Sequence, residues 1–447
     1  HLPPVHKIDP EQILLDPAKL HNTDHKIKMR QLMKDGHKPS ECDYCWKIES
    51  MGTDYISDRV FKSLQFGPEE MQEWFDKPAD ARIIPPTLEV MFDRTCNFAC
   101  SYCNANFSTT WERDIKKHGN YDLETSGGGA FKHDGTANNC YEKTENPYIK
   151  AFWEWWPELY KTLKVFRMTG GEPLMDKNTF RVLEYVNNNP KQDLELSITS
   201  NMNPPSAKLF DKFMTLVKEI ETPRTWHNGQ SQHTGSACKH FNLYVSLDTV
   251  GDHAEYLRTG LDIKTWEKNQ DIYVQGAKSH ITTMVTFNIL SVTSFTDFLE
   301  KVLEWRAKYE DVIPNNLGSD EYVRKIRFDT PYLKEPLQYD MQILPKEQFL
   351  PYFDKSLKFI EDNIDEEDRT KFSQLEYEKF KRVRDYFANE QYPEDRIRKG
   401  RIDFYKWFKE IDIRRDTNLL ETFPEMEEFM ALCKETAQGE IPLENIG

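Results

Sequence analysis

Three cysteines follow one another closely after a predicted strand, and this spacing constrains the chain more than any other feature. Cys96, Cys100 and Cys103 form a CxxxCxxC pattern. Every second residue from Leu88 to Phe92 is apolar, which is typical of a strand that runs directly into the cysteines. Three thiolates in one loop suit three irons of a cubic 4Fe-4S cluster and leave the fourth iron without a protein ligand.

The spacing alone leaves two other interpretations open, a zinc knuckle and three unrelated buried thiols. The remaining cysteines help to choose between metal ligands and disulfides. Five of the eight cysteines fall in two tight clusters, and the others are scattered along a long chain without a visible secretory signal. Disulfide frameworks are typical of short, cysteine-dense secreted chains, so this distribution indicates metal ligands in a reducing cytoplasm.

Charge and hydropathy limit the kinds of partner that the chain is expected to bind. The 447 residues include 59 Lys and Arg against 75 Asp and Glu, a net charge of −16. An acidic surface repels a phosphate backbone, which argues against a nucleic-acid partner. No apolar run approaches the roughly 20 residues that cross a bilayer, so no membrane partner and a cytoplasmic location are expected.

Strand and helix patterns alternate through the middle of the chain and predict an α/β fold with parallel strands. Six repeats favour a partial (β/α)6 barrel over a closed eight-stranded one. After the strand at Leu88, the further strand candidates are Lys164–Thr169, Leu194–Thr199, Phe241–Asp248, Ile281–Leu290 and Tyr322–Asp329. The helix candidates are Thr179–Asn189, Ala207–Ile220 and the segment around Phe295–Leu303, where Ser294 and Asp297 resemble a capping box.

We divide the chain into three parts. Residues 1–80 form a charged, cysteine-containing N-terminal extension, 81–335 the barrel, and 336–447 a helical C-terminal cap. Two insertions interrupt the barrel, at 104–160 and 221–240. The first contains a Gly-rich patch at Ser126–Gly129 and three tryptophans that form either a substrate-facing wall or core packing: Trp153, Trp155 and Trp156. The second is polar and includes His227, His233, Cys238 and His240.

A second motif follows the second predicted strand, at Thr169-Gly170-Gly171-Glu172-Pro173. Together with the cysteine spacing it resembles the radical S-adenosylmethionine superfamily, which has a GGEP motif in this place, and specifically its SPASM/twitch-type proteins. The resemblance covers Thr87 to about Tyr332. It implies an enzyme in which S-adenosylmethionine binds the fourth iron and is cleaved to a 5′-deoxyadenosyl radical, with electrons from a donor such as flavodoxin or ferredoxin.

The same resemblance implies roles for individual residues at strand ends. Glu172 would accept a hydrogen bond from the methionine ammonium, and Gly170 and Gly171 would permit close backbone approach. Arg258 would pair with the methionine carboxylate, although an ordinary ion pair is the rival interpretation. The remaining implied cofactor contacts are Tyr102 near the adenine, Ser200 and Asn201 at the methionyl group, Ser246 and Asp248 near the ribose, and Asn288.

Cys42 and Cys45 begin a segment that resembles the part of these proteins that helps hold an auxiliary iron–sulfur cluster; its other matching residues are Trp46, Glu49, Gly52, Ser57 and Arg59. Here no cysteine precedes Cys42, and two thiolates do not complete a four-cysteine site. Three possibilities stay open. The missing ligands lie upstream of His1, they are supplied by Cys140, Cys238 or Cys433, or they are absent. A zinc site with histidine and a structural free pair are the alternatives to a cluster.

The leading hypothesis is a radical enzyme that abstracts hydrogen from a peptide or protein side chain, because enzymes with such auxiliary segments often modify peptides. A radical dehydrogenase or mutase of a sugar- or nucleotide-like small molecule is the second hypothesis. An inactive cluster-bearing scaffold is the third.

Overall fold

The computed structural model describes residues 6, 8–50, 57–64, 66–125, 131, 145–228, 231–312 and 324–439. The chain folds into two compact units. The smaller comprises His1–Leu88 and Asn139–Lys164, and the larger comprises Glu89–Asn138 and Val165–Gly447. Residues 139–164 therefore belong to the same unit as the N-terminal segment, although they are far from it in sequence.

A six-stranded sheet is the centre of the larger unit. Its order is β1-β3-β4-β7-β9-β10, and the neighbours from β3 to β10 pair in parallel. The described strands are β1 (Thr87–Met91), β2 (Ala99–Cys100), β3 (Val165–Thr169), β4 (Lys191–Ser200), β5 (Arg224–Asn228), β6 (Ser231–Gly235), β7 (Cys238–Ser246), β8 (Arg258–Thr259), β9 (Ile281–Met284) and β10 (Ile326–Asp329). The α/β class is confirmed, and a strand of this sheet overlaps each of the six predicted strand regions.

Helices of the larger unit alternate with the strands and then continue to its C-terminal end. They are α6 (Thr109–His118), α8 (Lys177–Asn188), α9 (Ala207–Glu221), α10 (Gly251–Leu257), α11 (Ile263–Gly276), α12 (Ser291–Lys308), α13 (Lys346–Glu361), α14 (Gln374–Asn389), α15 (Glu394–Arg415), α16 (Leu419–Thr422) and α17 (Glu427–Gln438). The helices α8, α9 and α12 confirm the three predicted between strands. The expected capping box is wrong, because Ser294 lies inside α12 and its hydroxyl bonds to Thr249 at 2.7 Å.

The predicted insertion at 221–240 is partly core. The strands β5 and β6 form an antiparallel hairpin, but Cys238 already begins β7 and is buried. His240 pairs in register with Glu195 of β4. The polar composition hid the start of this strand, because Lys239 and His240 separate the buried Cys238 from Phe241, where the regular alternation of buried residues begins.

The smaller unit is helical in its described part. Its helices are α1 (Pro10–Leu15), α2 (Asp24–Lys34), α3 (Asp43–Ser50), α4 (Asp58–Ser63), α5 (Pro68–Asp76) and α7 (Pro147–Thr162). Trp155 and Trp156 of α7 are 3% and 1% exposed, which identifies them as core residues of this unit. The Gly-rich patch Ser126–Gly129 and Cys140 lie outside the described residues.

The parallel pairing brings the carboxyl ends of the strands to one edge of the sheet. The cysteine loop follows β1 there, the Gly170–Glu172 turn follows β3, and Asn201 and Asp248 follow β4 and β7. Ligand sites of open α/β sheets lie at this edge. In the described part of the chain, no helix has both the length and the apolar character needed to cross a membrane.

Candidate functional site

The first turn of α6 holds the cysteine loop from one side. Thr110 donates its hydroxyl to the carbonyl of Cys96 at 2.6 Å, and the indole Nε1 of Trp111 donates to the carbonyl of Cys100 at 2.8 Å. Ser108, the N-cap of α6, donates to the carbonyl of Phe98 at 2.7 Å. Because each bond satisfies a loop carbonyl with a side chain from a single turn, the loop and the helix form one structural element.

A buried ion pair lies beneath this element. Arg94 precedes the loop and pairs with Glu112 of α6, with both side chains at most 10% exposed. The guanidinium also donates from Nη1 to the carbonyl of Ala105 at 2.6 Å. Arg94 therefore connects the residues before the cysteines, the residues after them and the helix.

The three thiols are buried to different degrees and interact electrostatically. Burial and the nearby Cys100 together raise the pKa of Cys96 to about 12. The same two causes raise the pKa of Cys103 to about 12. Burial also raises the pKa of Cys100, but the guanidinium of Arg258 opposes that rise. At neutral pH these are protonated thiols, so a metal must displace their protons when it binds.

Among the described residues, no group of three or more His, Cys, Asp and Glu side chains converges to hold a single metal ion. In a cubic 4Fe-4S cluster each cysteine binds a different iron. The three sulfurs therefore do not need to converge on one point, as they would around a single metal ion. The donor set fits such a cluster, because three free thiols lie on one loop and each is buried or only partly exposed. Cys96, Cys100 and Cys103 are the residues that could hold it.

Asp248 is the centre of a buried network beside the loop. Its carboxylate accepts hydrogen bonds from the hydroxyl of Tyr102 at 2.7 Å, from Nη2 of Arg258 at 2.8 Å and from the backbone N–H of Thr286 at 2.9 Å. Asp248 is fully buried, and Arg258 is 4% exposed. The structure thus brings three predicted site residues together, with the Tyr102 hydroxyl and the Arg258 guanidinium bonded to Asp248.

Glu172 forms a second network, between the ends of β3 and β4. Its carboxylate accepts from the backbone N–H of Asn201 at 2.6 Å, from the hydroxyl of Ser200 at 2.8 Å and from the N–H of Leu174 at 3.0 Å. Burial raises the pKa of Glu172 to about 7, although these bonds oppose the rise. An ionised carboxylate accepts about four hydrogen bonds, which leaves room for one further donor.

Asparagine side chains connect the cysteine loop to this second network. The amide of Asn201 donates to the side chain of Asn97 at 3.0 Å, and Asn97 donates to the carbonyl of Asn203 at 2.7 Å. Gly171 lies so close to the loop that an added Cβ would be 2.3 Å from the carbonyl oxygen of Thr95. The glycine is therefore required for contact between two turns of the chain.

Two further predicted contacts, Ser246 and Asn288, lie at the end of β7 and just before α12. Ser246 is the last residue of β7, opposite Met284 in the register with β9. Asn288 is fully buried; it donates to the carbonyl of Thr286 at 2.9 Å and accepts from the N–H of Leu290 at 3.0 Å, which shapes the entry into α12.

A cavity of about 840 Å³ opens beside the loop within the larger unit. Its lining includes Tyr102 and Cys103 of the loop and Arg396 and Lys399 of α15. The cations are paired with lining acids: Arg396 with Glu335 at 3.1 Å and Lys399 with Asp395 at 2.6 Å. Small-molecule sites span about 300–1,000 Å³, so this cavity has the size of a ligand site.

The second cysteine group lies in the smaller unit. Cys42 ends a 3-10 helix, Cys45 lies in α3, and both are partly exposed. Burial and the neighbouring Cys45 raise the pKa of Cys42. The candidate further ligands Cys238 and Cys433 are buried in the larger unit, in β7 and α17.

The residues after this pair form a clasp, which we define as Trp46, Glu49, Ser57 and Arg59. Glu49 accepts from the hydroxyl of Ser57 at 2.6 Å and from Nη2 of Arg59 at 2.6 Å. The Arg59 guanidinium lies 4.3 Å from the centre of the Trp46 ring. These motif residues therefore have a structural role that the sequence comparison did not reveal; Gly52 lies outside the described residues.

Sequence reasoning missed the residues that hold the cysteine loop, which are Arg94, Asn97, Ser108, Thr110, Trp111 and Glu112. A signal for one of them was present, because Ser108 directly precedes a helix and serine is a preferred N-cap.

No protein-family model matches the chain, and no curated protein matches it.

Proposed function

We propose that the chain is a radical S-adenosylmethionine enzyme whose 4Fe-4S cluster is held by Cys96, Cys100 and Cys103. The observation that carries the proposal is the placement of three free thiols on one loop at the carboxyl edge of the sheet, with Cys103 lining a ligand-sized cavity. In this proposal the six-stranded sheet is the partial (β/α)6 barrel of the superfamily. When bound, the cluster would supply the electron that cleaves S-adenosylmethionine to methionine and a 5′-deoxyadenosyl radical.

The chain's own residues would position and shield these groups. The turn at Ser108–Trp111 fixes the loop carbonyls, and the buried ion pair of Arg94 and Glu112 fixes the loop ends. Glu172, with a pKa near neutrality and an acceptor position remaining, would take an ammonium N–H of the cofactor. Tyr102 at the cavity wall would orient the ligand beside Cys103.

The cavity supports a substrate that enters from solvent and meets both apolar and charged groups. Phe107, Leu333 and Leu337 provide the apolar part, and the paired side chains of Arg396 and Glu335 provide the charged part. We propose a peptide or protein side chain as substrate, with the electron delivered by a flavodoxin- or ferredoxin-like donor in the cytoplasm. The radical would remove one hydrogen atom from that side chain and leave as 5′-deoxyadenosine.

The test is anaerobic purification of the full chain, with iron and sulfide analysis, followed by reduction in the presence of S-adenosylmethionine. We expect about four irons at the loop and release of 5′-deoxyadenosine, both abolished by Cys96→Ala, Cys100→Ala and Cys103→Ala together. Cys238→Ala removes a buried thiol elsewhere in the same unit and should change neither result. Release that persists in the triple variant would overturn the proposal, and a bound cluster without any release would favour the inactive scaffold.

A further inference from the structure

Arg258 lies against the middle cysteine of the loop. Its Nη1 is 3.8 Å from Sγ of Cys100, while Nη2 donates to Asp248 at 2.8 Å. Its Nε has no hydrogen-bond partner among the described residues, although it is buried. One nitrogen of the guanidinium therefore donates to a carboxylate and another contacts a thiol, and the side chain is buried.

Backbone pairing fixes this contact. The short strands β2 and β8 are antiparallel, and Cys100 is directly opposite Arg258 in their register. On the next residue, both the N–H and the hydroxyl of Ser101 donate to the carbonyl of Leu257, at 2.7 and 3.1 Å. The side chains of Cys100 and Arg258 are neighbours because their backbones are neighbours, and not through a chance rotamer.

The guanidinium is also held from its far side. Asp248 accepts from Tyr102 and from the N–H of Thr286 as well as from Arg258, so the carboxylate is fixed by three donors. The Tyr102 ring lies 5.6 Å from the guanidinium carbon. A buried cation with this support loses little freedom when it donates a hydrogen bond to sulfur.

Cys100 differs from its two neighbours in this respect. The Sγ of Cys96 accepts the backbone N–H of Phe98 at 3.4 Å, and the thiol of Cys103 donates to the carbonyl of Asn104 at 3.8 Å. Only the sulfur of Cys100 has a side-chain cation within this distance among these described contacts. A thiolate at Cys100 would thus have the Arg258 guanidinium beside it.

We propose that Arg258 is a positioning residue for the cluster. Its guanidinium donates an N–H to the Cys100 thiolate and thereby raises the reduction potential of the cluster. This inference rests on the proposed function. Reduction adds negative charge to the cluster, and hydrogen bonds to the cysteine sulfurs favour the reduced state. The assignment differs from the sequence expectation, in which Arg258 pairs with the carboxylate of methionine.

The test is the reduction potential of the reconstituted full chain without S-adenosylmethionine, measured by titration with electron paramagnetic resonance detection. The main variant is Arg258→Met with Asp248→Asn, because it removes the donor without leaving an unpaired buried charge or changing the local net charge. We expect a shift to a lower potential. Asp248→Asn alone should shift the potential upward, since it leaves the Arg258 charge fully available to the sulfur.

The matched control neutralises another buried pair of the same unit, Arg306→Met with Glu376→Gln. Arg306 donates to Glu376 at 2.6 Å, and its other bonds go to the carbonyls of Ile326 and Lys371. That variant should leave the potential unchanged. A wild-type potential in the Arg258→Met/Asp248→Asn variant overturns the inference, whatever happens to cofactor affinity. Absence of any cluster from the wild-type chain would instead overturn the proposed function.

Discussion

The two cysteine groups differ in the range of the contacts that hold them. Around Cys96, Cys100 and Cys103, hydrogen bonds join residues 104, 106 and 156 positions apart in sequence, through Asn97, Asn201 and Ser101. Around Cys42 and Cys45, bonds of Trp46, Glu49 and Arg59 join residues 7, 8 and 10 positions apart. The first group is part of the tertiary structure of its unit, and the second is a local structure.

This difference bears on what each group can do. A loop fixed by distant strands and a helix has its thiols in place before a ligand arrives, which favours a defined cluster geometry. A pair on consecutive helical turns has its thiols on one face, because positions i and i+3 are neighbours there, but needs further ligands from elsewhere. The predictions below separate these two behaviours.

The largest expected effect is on iron content. With Cys96, Cys100 and Cys103 replaced by Ala, we expect residual iron and a residual paramagnetic signal from an auxiliary cluster that Cys42 and Cys45 help to hold. Adding Cys42→Ala and Cys45→Ala should abolish both, since the pair supplies two of its ligands. Iron analysis and electron paramagnetic resonance are the measurements.

Adding Cys433→Ala to the triple variant tests one of the candidate further ligands, a thiol that is buried in α17. A preserved residual signal excludes Cys433 as a ligand of this cluster, and a lost signal includes it. Zinc in place of iron at Cys42 and Cys45, or an iron-free but folded triple variant, would mean that the second group holds no cluster.

The next effect is on stability. Arg94→Met removes the buried partner of Glu112, which keeps a second, exposed partner in Lys116. Breaking a buried ion pair costs about 3–5 kcal/mol, and the remaining pair with Lys116 should place the loss at the lower end of that range. Urea unfolding followed by circular dichroism measures this loss. Arg94→Met with Glu112→Gln removes both charges and should recover most of it. If the single and double variants have equal stability, the pair does not fix the loop in the way described.

The strands could be predicted from sequence because burial requires apolar residues at regular positions within each strand. Alternating or continuous apolar residues identified all six strand regions, and helical spacing identified α9 and α12. Ser294 shows the limit of such patterns: it matches a capping box in sequence, but the helix begins earlier, at Ser291. Cys238 and His240 show another limit, since a polar stretch concealed the beginning of a strand.

The sequence predicts single residues of the candidate site but not the network that joins them. Tyr102, Asp248 and Arg258 are each predicted to contact a cofactor, and the structure bonds the first and the last to Asp248. The first two are 146 positions apart, so their contact depends on strand order and register, which no local pattern records. Glu172 and Asn201 are a similar case.

The third effect concerns pH, and it has opposite signs in the two regions. Glu172, near the cysteine loop, has its pKa raised to about 7 by burial. Its folded state binds a proton more tightly than the unfolded state, so its contribution to stability is complete below about pH 4.5 and is lost as pH rises through about 7. We expect Glu172→Gln to remove roughly 2–3 kcal/mol of stability difference between pH 5 and pH 8 in the metal-free protein.

Glu49 of the clasp provides the opposite case. Hydrogen bonds from Arg59 and Ser57 lower its pKa, so its contribution is present above its ordinary pKa and is lost as pH falls through the lowered value. Glu49→Gln should therefore reduce stability at neutral pH and not at strongly acidic pH. Unfolding free energies of both variants across this pH range are the measurement, and equal slopes for Glu172→Gln and wild type would contradict the assignment.

The smallest effect is expected where the contacts are most local. Arg59→Ala removes a half-exposed ion pair with Glu49, worth about 0.2–1 kcal/mol, and a contact with the Trp46 ring of similar size. High salt should reduce the difference, because exposed charges are screened while buried ones are not. Lys47→Ala removes an exposed cation of α3 and is the control. A loss of stability above about 2 kcal/mol would lie outside the range for exposed ion pairs. It would show that the clasp supports the fold of its unit. The two cysteine groups would then differ less than the sequence separations of their contacts indicate.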